Sequence, residues 1–281
     1  MLDRYHIEHE LEKGARGAVF RGRDRETGRV VAIKLIPDPC SDWIRTQDYC
    51  ESREVGEIAA HLAHAHIPAI YETGRTGRLR YVVMEFAEGV DLRAHINVST
   101  LLPLSTVLSI VVNVAAAVQH LHDRGIVHGD IKPANIMFDA PTRCVKLTDV
   151  STSVENVAAL VGTPAYMSPE QLRSLPASPA ADQFSLGITL YQLACGHLPF
   201  PGQSRPAIVC CMATEPHVDI RVHKPGVPAK LVTILDRMLA KEPHNRYRSV
   251  EALEQALRAA EAGLECAPDA RASVARRVCS S

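Results

Sequence analysis

The sequence predicts an α+β fold with a strand-rich first part and a helix-rich second part, arranged as two lobes around a shared cleft. Three observations carry this. Through the first ninety residues, apolar and polar positions alternate with period two, punctuated by Gly14, Gly17 and Gly28. After Gly89 the apolar spacing changes to roughly 3.6. With 281 residues, 46% of them hydrophobic, the chain can bury a core in each lobe.

The alternation places strands at Tyr5–Glu12, Ala18–Gly22 and Arg29–Ile36, an antiparallel meander. A helix over Trp43–Ala63, with Val55, Ile58, Ala59 and Leu62 on one face, interrupts the series. Strands resume at Ala69–Glu72 and Leu79–Glu85, and the lobe boundary falls at residues 87 and 88. Helices follow at Leu104–Arg124, Ala180–Cys195, Ala229–Leu239 and Ser249–Ala260, with Pro179, Pro228 and Ser249 where helix starts are expected. The segment from 261 to 281, rich in Ala, Arg and Ser, reads as a flexible tail beyond a domain spanning 5–260.

Composition excludes several classes. A net charge of −1 gives no field for gathering nucleic acid or an acidic membrane. The eight cysteines are scattered and read as reduced, largely buried thiols of a cytoplasmic chain rather than a disulfide scaffold. Leu101–Leu121 is apolar, but it is interrupted by Pro103, Asn113, Gln119 and His120. A spanning helix needs about 20 predominantly apolar residues, so this one is expected in a protein core. No membrane insertion is expected, and the oligomeric state is open.

Five segments carry the chemistry. Gly14-Ala15-Arg16-Gly17-Ala18-Val19 joins two strands, and glycines there let backbone N–H groups approach phosphate oxygens. Val31-Ala32-Ile33-Lys34 brings a lysine, fifteen residues after Val19, under that loop. Its fixed counter-charge would come from the next helix, with Glu54 as candidate and Glu51 and Glu57 one turn to either side. In Val127-His128-Gly129-Asp130-Ile131-Lys132-Pro133-Ala134-Asn135, Asp130 can accept a hydroxyl proton and Lys132 can neutralise a phosphoryl group. Asn135 offers a carbonyl oxygen to a hard cation. Asp149, ending Val145–Thr148, is placed to ligate Mg²⁺. The fifth segment is Gly162-Thr163 to Pro169-Glu170, followed by Asp182 and Arg246.

Spelled in this order from Tyr5 to Ala260, the motifs resemble those of the eukaryotic-like (Hanks-type) serine/threonine protein kinases, in a wording similar to bacterial members. The resemblance implies the bilobal kinase fold and transfer of the γ-phosphate of ATP, with Mg²⁺ or Mn²⁺, to serine or threonine hydroxyls of a protein substrate. It implies Lys34 as the strand lysine, Glu54 as its partner, Asp130 as catalytic base and Asn135 and Asp149 as metal ligands. It further implies Met84 as gatekeeper, Glu85 and Ala87 as backbone contacts to adenine, and Asp91 towards the ribose. Gly14, Gly17, Val19 and Ala32 would line the nucleotide. Thr163 would bridge towards Asp130 and Lys132, Glu170 and Arg246 would form a buried ion pair, and Asp182 would brace the catalytic loop.

Four positions depart from the pattern. Glu12 replaces the first loop glycine, adding negative charge near the phosphates. Gly129 replaces the arginine of His-Arg-Asp, and Val150 and Ser151 replace the Phe and Gly of Asp-Phe-Gly. Loss of the Phe is expected to cost roughly 1–3 kcal/mol of packing. From Val150 to Leu172 there is no Lys or Arg, so a phosphate on Ser151, Thr152, Ser153 or Thr163 would find no local cation, and regulation by loop phosphorylation is not expected. Two other classes match in part. A nucleotide-binding pseudokinase scaffold fits the four departures. A small-molecule kinase of the aminoglycoside or choline phosphotransferase type fits His128-Gly129-Asp130, but such enzymes lack the Gly162–Glu170 segment.

Overall fold

The computed structural model describes residues 2–14, 17–37, 62–150, 164–202 and 204–265. Strands β1 (Tyr5–Gly14), β2 (Gly17–Asp24), β3 (Val30–Pro37), β4 (Ile70–Thr76) and β5 (Leu79–Glu85) form one antiparallel sheet in the order β1-β2-β3-β5-β4. One face of this sheet carries a small core of Tyr5, Val31, Ile33, Tyr81 and Val83 with Leu35 against it, while at the centres of β3 and β5 the residues Val31–Lys34 and Tyr81–Val83 are buried on both faces, so the alternation forecast fails there. Gly17, at the β1–β2 turn, has φ +125, and a Cβ there would lie 2.1 Å from the Leu35 carbonyl oxygen, so only glycine fits.

Beyond the sheet, β6 (Val90–Asp91), β7 (Ile136–Asp139) and β8 (Cys144–Leu147) pair as a second, three-stranded sheet. Helices α1 (Leu104–His122), α2 (Pro169–Leu172), α3 (Pro179–Cys195), α4 (Arg205–Thr214), α5 (Ala229–Met238) and α6 (Val250–Glu265) complete the described residues. Among them α1 is the one helix long and apolar enough to cross a membrane. Ten of its residues, from Val107 to Leu121, are buried in the larger core, where α3 and α6 pack on it. It is a core helix, as its interrupting polar residues forecast.

Most element ends moved by one or two residues from their forecast positions, as frayed ends do. β7 and α4 were not forecast; Arg205–Thr214 shows little contrast between faces because its polar residues sit at its two ends. The expected helix over Trp43–Ala63 lies almost wholly outside the described residues. The cysteine forecast needs correction: of the four described cysteines Cys195 is buried, Cys211 is intermediate, and Cys144 and Cys210 are exposed, all as free thiols.

Candidate functional site

Two rigid pieces meet at the site, a loop after α1 and the residues following β8. The loop is anchored by Asp182 in the first turn of α3, 1% exposed. Its Oδ1 accepts the Gly129 N–H at 2.7 Å, and its Oδ2 accepts the His128 N–H at 2.9 Å and the His122 Nε2–H at 2.8 Å. A buried carboxylate saturated by donors in this way fixes the backbone that leads into Asp130. Gly129 itself has φ +72. A side chain in that left-handed conformation costs about 1–2 kcal/mol, so glycine takes up this turn without strain. Gln171 Nε2–H donates to the Gly129 carbonyl at 3.0 Å, tying α2 to the same turn.

Within the loop, Asp130 Oδ2 accepts from Lys132 Nζ at 2.9 Å and from Asn135 Nδ2 at 3.3 Å, and Asn135 Nδ2 also donates to the Asp130 carbonyl at 2.8 Å. Because the amide nitrogen is committed to Asp130, Oδ1 is the Asn135 atom suited to a cation. The Asn135 carbonyl accepts both the N–H (2.8 Å) and the hydroxyl (3.1 Å) of Thr148. His128, fully buried, accepts the Asp130 N–H at Nδ1 and therefore donates from Nε2 to the Thr148 carbonyl, 2.9 Å away. Thr148 thus carries the register between the two pieces.

The next residue, Asp149, has φ +66. A non-glycine residue held there by its surroundings is a mark of functional sites. Its Oδ1 lies 2.8 Å from the Nζ of Lys34, 3% exposed on β3 opposite Val19 and Val82. Burial pushes the Asp149 carboxyl up, but the Lys34 charge and hydrogen bond, helped by Lys132, carry it below the ordinary aspartate value. An ionised carboxylate beside an amide oxygen is the donor set a hard divalent cation needs, so the residues present fit such an ion.

The residues expected to line the nucleotide lie on β1, β2, β3, β5 and β6 and in the segment after β5. Gly14 and Gly17 are a register pair at the β1–β2 turn, and a Cβ on Gly14 would meet nothing within 4 Å. Ala32 faces Met84 across β3 and β5. Ala87 follows β5 and is partly buried. Glu85 turns its carboxylate to Lys146 and to the Ala69 N–H. Both Asp91 oxygens are held by Arg93 (2.8 and 2.9 Å), so Asp91 meets the structure as a cap and ion pair rather than as an open acceptor. Arg93 also lies 4.0 Å from Glu12. The negative charge that Glu12 brings near the phosphates thus has a cation beside it, although a pair this exposed is worth about 1 kcal/mol at most. Glu54, Thr163 and Ser151 lie outside the described residues; among the described ones the counter-charge of Lys34 is Asp149.

Val150 stands where the family pattern has Phe. It is 8% exposed in the larger core and lines a cavity of about 20 Å³ with Leu62, Ile67, Pro68, Ile70, Met84 and Asp149. Val150→Ile adds one buried methylene, worth about 0.8 kcal/mol. Thermal unfolding is expected to shift up by about 2–3 °C; a lower melting temperature would mean that the cavity cannot accept the added group.

Sequence reasoning placed Asp130, Lys132, Asn135, Asp149 and Lys34, and the structure brings all five together. It missed Thr148, His122 and Gln171 as supports, and also Lys146. The one available signal for Lys146 was a charge inside the apolar run Val145–Leu147.

Comparison with known proteins shows the family. Residues 5–257 match the family model described as protein kinase domain. The chain is 34% identical over 262 residues to the serine/threonine-protein kinase PknB of Mycobacterium leprae (89% of this chain, 42% of the relative). It is 31% identical over 265 residues to PrkC of Bacillus subtilis (92% and 40%). It thus spans about two fifths of the length of these curated relatives. Among solved structures, a point mutant of the Mycobacterium tuberculosis PknI kinase domain aligns with TM-score 0.72 at 24% identity, covering 92% of this chain and 95% of that one. Rad53 residues 1–466 in complex with AMP-PNP aligns with TM-score 0.76 at 24% identity, covering 89% and 64%. These two likenesses concern the fold.

Proposed function

The chain belongs to the protein kinase domain family, and from that premise we propose that it transfers the γ-phosphoryl group of ATP, with Mg²⁺, to serine or threonine hydroxyls of a protein substrate. The observation that carries the proposal is the single hydrogen-bonded assembly in which Thr148 and His128 lock the Asp130–Lys132–Asn135 loop to Asp149 and Lys34. Such preorganisation is what phosphoryl transfer needs, since it depends on positioning and charge stabilisation more than on covalent chemistry by the protein.

In this reading Asp130 orients the acceptor hydroxyl and takes its proton as the oxygen attacks the γ-phosphorus, while the bridging oxygen leaves with ADP. Lys132, already on Asp130 Oδ2, offers its ammonium to the transferring group. Lys34 holds the phosphates and Asp149, and a cation on Asp149 and Asn135 would neutralise phosphate oxygens. Gly129 leaves no arginine beside Asp130 to grip a loop phosphate, which supports activity that is constitutive with respect to the loop.

The test is γ-phosphate transfer from MgATP to a generic protein substrate by the purified chain, with nucleotide binding read separately by thermal shift. Saturating MgATP at a hundredfold excess over Kd is expected to stabilise the protein by about 2.7 kcal/mol. Asp149→Asn is expected to lose the Mg²⁺-dependent part of that gain, and an undiminished shift in this variant would remove Asp149 from the site. Binding without transfer would favour the scaffold reading, which Val150 and Ser151 in place of Phe and Gly motivate.

A further inference from the structure

Lys146 is a lysine inside a strand, in register with Met137, with a side chain only 13% exposed. A methionine of similar length would fill the same space without desolvating a charge, so the ammonium calls for a reason. It lies 2.8 Å from each oxygen of Glu85, the last residue of β5. Glu85 Oε2 also accepts the Ala69 N–H at 3.1 Å, and the Glu85 N–H donates to the Ala69 carbonyl at 2.8 Å. The side chain of Glu85 is therefore turned into the protein by a charge-assisted bond, holding in place the backbone segment that runs on to Ala87.

The other end of the same strand leads to the metal site. Three residues after Lys146 comes Asp149, with Thr148 between carrying the register to Asn135. One backbone bond and one imidazole contact fix β8 to the segment before β4: the Leu147 N–H donates to the His66 carbonyl at 2.8 Å, and His66 Nδ1 lies 3.0 Å from the Val145 carbonyl. The side-chain tie from β8 to the end of β5 is Lys146–Glu85.

We propose that Lys146 is a positioning residue that sets the spacing between the backbone of residues 85–87 and the metal ligand Asp149, so that one nucleotide can engage both ends at once. This rests on the kinase reading above. A ligand held at two anchors gains affinity only while the anchors keep its own span, and the Lys146–Glu85 pair is the direct charged tie across that span, beside the bonds through His66 and Ala69. The phosphoryl-transfer loop is braced by Asp182 through separate bonds, so loss of Lys146 weakens nucleotide binding and leaves the chemical step in place.

The experiment compares steady-state kinetics of Lys146→Met, Lys146→Arg, Glu85→Gln and the Lys146→Met/Glu85→Gln double variant with wild type, at a temperature well below each melting point. In Lys146→Met the KM for MgATP is expected to rise about tenfold with kcat within twofold, while Lys146→Arg recovers most of the loss. The double variant is expected to be no worse than Lys146→Met alone, since both changes cut one tie. A merely structural role would lower the melting temperature without this split. An unmoved KM in Lys146→Met, a fall in kcat matching the rise in KM, or an arginine variant no better than methionine overturns the inference while leaving the kinase reading standing. A wild-type chain that transfers no phosphate overturns both. Should Lys146→Met fail to fold, Glu85→Gln carries the same test with an expected KM rise of about threefold, and an unchanged KM there counts against the proposal.

Discussion

Asp130→Asn is expected to abolish phosphoryl transfer while leaving MgATP binding and the fold intact. The wild-type carboxylate holds Lys132 and Asn135 on one oxygen at 2.9 and 3.3 Å, and an asparagine of the same shape keeps the loop backbone, which Asp182 anchors independently. The amide cannot accept a proton, and general-base catalysis contributes about 10²–10⁴-fold, equivalent to roughly 3–5 kcal/mol of barrier. Initial rates should fall by at least two orders of magnitude, with the MgATP-dependent thermal shift retained. A variant that keeps the wild-type rate would refute the assignment of Asp130, and with it the kinase reading.

The second large effect concerns stability. Arg246, 2% exposed, uses all five of its N–H donors. Nη1 donates to Glu170 Oε1 at 2.6 Å and to the Ala180 carbonyl, Nη2 to Glu170 Oε2 at 2.9 Å and to the Lys241 carbonyl, and Nε to the Ala240 carbonyl. Its guanidinium also lies 4.8 Å from the centre of the Phe184 ring. Removing one partner of such a pair leaves the other charge buried, at a cost of about 3–5 kcal/mol. Arg246→Met should therefore lower the melting temperature by about 10 °C or more. Adding Glu170→Leu should recover part of the loss, because the stranded carboxylate goes with it. A double variant as unstable as the single one would shift the explanation to the three carbonyls that Arg246 caps.

The sequence was sufficient for whatever depends on local order. An apolar run of strand length reports a strand buried on both faces, and 3.6 spacing reports a helix with a buried face, so β5 and α1 were legible almost to the residue. Motif order fixed which carboxylate, amide and ammonium groups would matter, because Asp130, Lys132 and Asn135 lie close enough along one loop for their contacts to be local. Helix α4 was illegible for the opposite reason: without a polar face it leaves no periodic trace.

Tertiary structure alone decided several of the distant pairings. Lys34 lies 115 residues from Asp149, Lys146 lies 61 from Glu85, and Gln171 lies 42 from Gly129. No periodicity encodes such pairings. They are settled when the folded chain buries polar groups and each must find a partner or carry a penalty of about 1–3 kcal/mol.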